Sequence, residues 1–387
     1  MADRLRIGIA GAGLLGRLLA WRLSQAGHRV SVFDPAVDER AVVRSQAPEP
    51  YVPTAAGFTA AGMLSPLSEL DNAEPAVAAL GWRSLALWPK IAAALPGSPT
   101  VTVGGSLLVA HRPDLGAAQR VLARMQAAAA TPEWRAASPA EGVQTLHAQA
   151  LREMEPSIQG PAHAWLLPGE GFVDTVAMMN ALYSGADGAD WHWGQRVLAV
   201  EAGEGGGTLR LADGRVLAFD AVIDVRGIGA KPELSVRGVR GEVIWLDCAG
   251  HGLTRPVRLL HPRHRVYIVP RSAHDVLVGA SEIESEDRSP VSLRSAVELM
   301  AAAHSVVPAL AEARIVKMDV NLRPALPDNN PRIEHSGRLL RINGLFRHGW
   351  LLAPALLEQA ARQVSWLGLA SPFYGVANAG ALAATDA

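Results

Sequence analysis

The stretch from Gly8 to Asp34, GIAGAGLLGRLLAWRLSQAGHRVSVFD, constrains this chain more than any other. Residues 6–10 form a short apolar run of strand type. Residues 14–26 carry Leu14, Leu15, Leu18, Leu19, Trp21 and Leu23 at helical spacing, and residues 28–34 read as a second strand. Between the first strand and the helix lies Gly11-x-Gly13-x-x-Gly16. Strand, glycine turn, helix and strand make one βαβ unit, which commits this end of the chain to a parallel sheet. Gly11 permits the turn, Gly13 lets the backbone approach a pyrophosphate, and Gly16 lets helix and strand pack closely. The helix start at Leu14 and Leu15 then offers unpaired N–H groups to phosphates. Asp34 ends the second strand, where a carboxylate binds a ribose hydroxyl pair and disfavours a 2′-phosphate, hence NADP. These residues predict a dinucleotide and leave FAD and NAD open, because both adenosine halves dock alike.

A chain of 387 residues is long enough for two domains. Its 36 basic and 37 acidic residues are mixed along the chain, so no basic field for nucleic acid or an anionic membrane is expected. The single cysteine, Cys248, excludes an internal disulfide and a cysteine-based metal cage, and fits a reducing cytoplasm. The N-terminus does not read as a secretory signal, and no uncharged apolar run reaches about 18 residues. A cytoplasmic protein with no membrane span is expected. The pair His261 and His264 has metal-like spacing, but on a strand it puts the two rings on opposite faces with no third ligand nearby; no metal is expected.

Further along, a proline-bearing loop is expected over 35–57. Small residues before Gly62 suggest backbone held close to something flat or charged, or a tightly packed loop. Helices are expected at about 75–95 and 114–129, a strand at 102–111, and an irregular, proline-spaced segment at 130–160. Residues 164–174 look like a hairpin turning at Pro168-Gly169, after which Asp174 N-caps a helix. Short strands fill 191–226, with Asp213-Gly214 as a hairpin turn. The strand at 221–225 runs into Arg226-Gly227-Ile228-Gly229, a second glycine turn at a strand end. Strands dominate 239–323 with one helix at about 291–304. A strand at 338–344 is followed by a glycine turn into a long helix at 348–367, and the tail at 374–387 reads as disordered.

Several segments carry a resemblance that spans almost the whole chain. They are the opening βαβ unit, AAGMLSP (60–66), GFVDT (171–175), VRGEV (239–243), LLHPRHRVYIVPR (259–271), VGASE (278–282), NLRPALPDNNPRI (321–333) and GLFRHGWLLAPAL (344–356). With these the chain resembles the D-amino-acid oxidase superfamily of flavoproteins and, within it, most strongly the bacterial glycine oxidases of the thiamine pathway. The last two segments are the most specific. The sequence departs from the pattern at Ala10 and Ala12, where many relatives carry a triple glycine; at Asp34, where glutamate is commoner; in the length of loop 35–57; and at Arg226 and Gly229, where a small residue and tryptophan are usual.

The resemblance implies an α/β fold. A Rossmann-like FAD-binding domain (1–85, 155–235 and 325–387) would interleave with an antiparallel-sheet α+β substrate-binding domain (86–154 and 236–324). It implies FAD, held by Gly11, Gly13, Leu14, Leu15, Gly16, Asp34, Ala61, Gly62, Met63, Val197, Gly227, His348, Gly349, Trp350, Leu351 and Leu352. The turn at 349–352 would set N–H groups near the isoalloxazine C2=O, where reduced flavin gains negative charge. Arg323 would clamp a substrate carboxylate with its planar fork, and the Tyr267 hydroxyl would join it. Arg347 would sit near the substrate or brace the turn. His348 would touch the flavin or substrate, or pack. Glu282 would meet the substrate amine, select a larger cationic substrate, or belong to a solvated acidic run. The implied activity is oxidation of glycine and other small amines to the imine, then to oxo acid and ammonia, with dioxygen reduced to hydrogen peroxide and the imine supplied to thiamine thiazole formation. The partners expected are a small amino acid and dioxygen, with homo-oligomer formation left open. Alternatives on the same fold are a D-amino-acid dehydrogenase or oxidase and a sarcosine-like secondary-amine oxidase. A flavin module acting on tRNA is disfavoured by the near-zero net charge, and an NAD dehydrogenase is the remaining alternative.

Overall fold

The computed structural model describes residues 4–40, 54–132, 134, 142–261 and 265–369. The opening residues form the expected unit: strand Arg6–Ala10, helix Leu14–Gln25 and strand Arg29–Asp34, the strands parallel and adjacent. Gly11 takes φ +104°, and a Cβ on Gly16 would lie 1.9 Å from the Gly11 carbonyl oxygen, so the helix approaches the turn only through glycine. The six-stranded sheet built on this unit runs Arg332–Ser336, Leu339–Asn343, Ala221–Asp224, Arg6–Ala10, Arg29–Asp34 and Ala189–Trp193 from edge to edge. All its pairings are parallel except that of the two strands nearest the C-terminus. The helix Gly349–Gln363 packs beside it, and Gly81 lets helix Pro75–Ala93 come close to Leu351. An Arg83–Glu358 ion pair and a Trp88 Nε1 bond to the Trp350 carbonyl at 2.8 Å fix these two helices together.

The second sheet has eight strands in the order Arg314–Ala325, Arg237–Asp247, Asp275–Gly279, Arg265–Pro270, Val257–Leu260, Ser106–Ala110, His163–Leu167 and Gln144–Leu146. All but one of its pairings are antiparallel; Val257–Leu260 runs parallel to Ser106–Ala110. Its register sorts side chains by alternation. Val257, Leu259, Val266, Ile268, Val276, Val278, Ile244 and Leu246 join a core under helix Leu293–Val306. The opposite face carries Arg258, Tyr267, Gly279 and Val243 side by side: Arg258 pairs with Tyr267, Tyr267 with Gly279, and Gly279 with Val243. On the next strand Asn321 stands opposite Gly241 and Arg323 opposite Val239. This face turns toward the βαβ unit.

Several expectations hold and some change. Asp174 caps helix Thr175–Gly185 through the Ala177 N–H, and the Asp213-Gly214 turn joins strands Gly206–Leu211 and Val216–Phe219. The hairpin expected at 164–174 is not one. Its strands His163–Leu167 and Gly171–Val173 belong to different sheets, the second pairing with Met63–Leu64 and Val101–Val103. The strand expected over 102–111 splits at Gly104-Gly105, with Gly105 at φ +85°, and both glycine N–H groups bond the Glu170 carbonyl. Two adjacent chain segments thus leave the large sheet together, and turn-forming residues mark the break in each. The segment read as irregular at 130–160 contains strand Gln144–Leu146 and helix Ala148–Met154. Most of loop 35–57, part of the His261/His264 stretch, part of 130–160 and the whole tail at 374–387 lie outside the described residues. No described helix is long and apolar enough to cross a membrane.

Candidate active site

A cavity of about 820 Å³ lies between the two sheets, toward the upper end of the small-molecule range of about 300–1,000 Å³. Its nucleotide-facing wall is made by Gly11, Gly13, Leu14, Leu15, Phe33 and Asp34. Gly13 is the N-cap of the first helix, and no side chain caps it, so the first N–H groups stay unpaired at the cavity. A Cβ on Gly13 would meet only Ala55, at 3.7 Å, leaving open space where a phosphate would lie. Asp34 accepts from the Ala12 N–H (2.7 Å) and the Ala36 N–H (2.9 Å). Burial pushes its carboxyl up, against those two donors and Arg17. Arg17 braces the turn from behind: it is 1% exposed and donates to the carbonyls of Ala12 and Met179.

The far wall is the sheet face described above. The Arg323 guanidinium lies over Gly241, where a Cβ would stand 2.6 Å from Cζ. Its Nη1 donates to the carbonyls of Arg240 (3.3 Å) and Ser281 (3.1 Å). Tyr267 lies between cations: burial pushes its phenol up, while Arg323, Arg258 and Arg271 pull it down. The Phe346–His348 turn leads into the last helix, which also begins without a side-chain cap. Arg347 reaches Glu69 at 2.9 Å and Glu282 at 3.8 Å. Burial alone would raise the Glu69 carboxyl, but His348, Arg347 and Arg258 together hold it well below the usual carboxylate range. It is therefore an anion in the folded protein near neutral pH.

The cavity brings together Arg323, Tyr267, Arg347 and Glu282 with Gly11, Gly13, Leu14, Leu15, Asp34, Ala61, Gly62, Met63, Val197, Gly227, Gly349, Trp350 and Leu351. Three expected contacts do not line it. Gly16 is a packing position beneath the turn. Leu352 is fully buried in the core, one residue past Leu351, the last position of the helix start that lines the cavity. His348 is 4% exposed and faces Glu69, with Nδ1 3.3 Å from Oε2. Gly62 and Met63 both line the cavity, and Gly62, at φ +66°, also packs its backbone on the Val173 carbonyl.

Sequence reasoning missed Glu69, Arg258 and Asn321. Glu69 sits in an ordinary-looking SPLSEL stretch, and only the fold sets it against Arg347. Arg258 would have been found by pairing its strand with Tyr267's, which needs the register. Arg226, noted as a departure, is 5% exposed at its side chain and grips Asp224 with two bonds of 2.9 and 2.7 Å. It also donates to the carbonyls of Val197 and Leu198, tying the second glycine turn to the neighbouring sheet.

The family described as DAO, FAD dependent oxidoreductase, matches residues 6–363. The chain is 36% identical over 364 residues to the putative thiamine biosynthesis oxidoreductase ThiO of Rhizobium etli, covering 93% of this chain and 96% of that one. It is 28% identical over 383 residues to the glycine oxidase of Geobacillus kaustophilus, covering 92% and 91%. The crystal structure of glycine oxidase from that organism superposes with a TM-score of 0.76 at 26% identity, covering 93% of this chain and 95% of the other.

Proposed function

The chain belongs to the FAD-dependent oxidoreductase (DAO) family, and on that premise we propose that it oxidises glycine and similarly small amino acids or amines to the imine, forming hydrogen peroxide. FAD is its cofactor, and the residues present fit that group. The uncapped helix start at Gly13–Leu15 suits a pyrophosphate, Asp34 suits a ribose, and the second uncapped start at Gly349 suits a ring that gains negative charge. Bound FAD supplies the two-electron acceptor that C–N oxidation requires and that no side chain provides.

The observation that carries the substrate reading is Arg323. It faces the cavity, its fork is fixed by two backbone carbonyls, and no described carboxylate is paired with it. Arg323 and Tyr267 hold the substrate carboxylate, which fixes the direction of the α-carbon's C–H bond. Arg347 and Glu69 brace the turn that sets the angle of the last helix. Ala61, Met63 and Val243 form apolar walls that keep water from the reacting carbon. The amine leaves as the imine after losing two electrons and two hydrogens. Water then gives the oxo acid and ammonia, unless the imine is consumed first. Likeness to the Rhizobium etli protein supports a role in supplying that imine for thiazole formation.

The test is an absorbance spectrum of the purified, FAD-loaded protein before and after anaerobic addition of glycine. Bleaching of the band near ~450 nm, with peroxide formed on admitting air, is the expected result. A flavin left oxidised by glycine, sarcosine and small D-amino acids would overturn the substrate class. Bleaching without peroxide would replace the oxidase by a dehydrogenase.

A further inference from the structure

Arg258, Arg323 and Arg347 line the cavity together with the carboxylates Glu69 and Glu282. Arg347 takes the near position on Glu69, at 2.9 Å, and His348 stands 3.3 Å from the same oxygen. Arg258 is left with a 3.7 Å approach to the other oxygen of that carboxylate. Its Nε is buried and has no hydrogen-bond partner among the described residues. Glu170 lies nearby and accepts from the Ser68 N–H and the Ser106 hydroxyl, but no hydrogen bond joins it to the Arg258 Nε. The Arg258 side chain is about a quarter exposed at the cavity, but its Nε is a buried donor without a partner, which is costly unless something anionic completes it. Arg258 is also the cross-strand neighbour of Tyr267, on the side away from Gly279 and the Arg323 strand.

We propose that Arg258 forms a second anion-binding position in this cavity, so that the enzyme takes amino acids whose far end carries a carboxylate. This rests on the reading of Arg323 and Tyr267 as the clamp for the first carboxylate. A dicarboxylic amino acid then spans the tyrosine, one carboxylate on each side of it. Both guanidinium groups gain a charge-assisted partner, and the Arg258 Nε gains the acceptor it lacks. With glycine, only the first position is filled.

The test is equilibrium binding of unreactive acids to the FAD-loaded protein, followed by perturbation of the flavin spectrum and by thermal shift. Acetate and propionate report the clamp alone; malonate and succinate report both positions. The expected result is that the better dicarboxylate binds at least tenfold tighter than the better monocarboxylate. Arg258→Gln removes this advantage and Arg258→Lys keeps part of it, both variants retaining bound FAD. Dicarboxylates binding no tighter than monocarboxylates in the wild type would overturn the proposal while leaving the clamp in place. An advantage that survives Arg258→Gln would move the second position off this residue. A flavin that responds to neither class would remove the clamp reading and this inference with it.

Discussion

Gly241→Ala perturbs the proposed clamp without deleting any of its atoms. Gly241 lies within strand Arg237–Asp247 at a backbone angle that alanine adopts freely. Its Cβ would stand 2.6 Å from Cζ and Nη2 of Arg323 and 2.7 Å from Nη1, where ordinary contact begins at 3.4 Å. The guanidinium must therefore retreat by roughly 0.8 Å, and a long arginine side chain can do so without moving the sheet. The retreat withdraws Nη1 from the carbonyls of Arg240 and Ser281, which lock the fork in place. A misplacement of about 1 Å in a positioning group costs on the order of 100-fold. That equals about 3 kcal/mol, the upper end for a hydrogen bond to a charged group. The assay is steady-state oxidation of glycine, with FAD content and Tm measured on the same preparation. KM is expected to rise about 30- to 100-fold, with FAD retained and Tm shifted by no more than about 3 °C. Arg323→Ala is expected to lose about as much, and the double variant no more than either, because both changes disable one group. An unchanged KM in Gly241→Ala, or multiplying losses in the double variant, would refute the reasoning.

Other expectations follow from the same geometry. Gly13→Ala has room in the folded chain but intrudes where a phosphate would lie, so the apoprotein should keep its Tm while FAD affinity falls at least tenfold by titration; Gly16→Ala, whose Cβ meets a carbonyl at 1.9 Å, should instead lose soluble protein. Burial pushes the Glu170 carboxyl up to about 7, against Ser106, Arg258 and Ser68. The folded state then holds a proton that the unfolded chain releases near its ordinary 4.5, so stability declines as pH rises from about 4.5 through about 7. Glu170→Gln keeps the Ser68 bond on its oxygen and donates its amide N–H to the Ser106 hydroxyl, with no titrating proton; urea unfolding should show it matching wild type at pH 5 and exceeding it by up to about 3 kcal/mol at pH 8, and parallel curves would exclude the ionisation. Arg226→Leu strips the close partner from the fully buried Asp224 and should lower urea-unfolding stability by about 3 kcal/mol, whereas an unchanged midpoint would show that Arg341, at 3.7 Å, suffices.

The nucleotide half of the molecule was legible because its signals are local. Gly11, Gly13, Gly16 and Asp34 act within one βαβ unit, where spacing in sequence sets spacing in space. Resemblance carried Arg323 and Tyr267, each embedded in a distinctive run. Glu69 and Arg258 were hidden because their role depends on partners far along the chain, Arg347 for one and Tyr267 for the other. The false hairpin at 164–174 has the same origin. Pro168-Gly169 does reverse the local pattern, but tertiary pairing assigns the flanking strands to different sheets, and turn chemistry cannot register that choice. His348 shows how a motif residue can be near the site yet serve it indirectly, through Glu69.

The alternation across the eight-stranded sheet divides the labour of variation. Along strand Arg265–Pro270, Val266 and Ile268 anchor the helix-covered core while Tyr267 and Val269 face the other way, and Val276 and Val278 alternate with Leu277 and Gly279 beside them. Positions on that second parity are not interchangeable: Val243 and Tyr267 line the cavity, whereas Val269 and Leu277 are fully buried in an apolar cluster of their own. Substitutions at Val243 vary the apolar ground beside Tyr267, those at Val269 and Leu277 disturb buried packing, and a shift by a single residue attacks the helix-covered core. Substrate range in this scaffold can thus change through the few cavity-lining positions of one parity, while the other parity and the buried remainder hold the sheet.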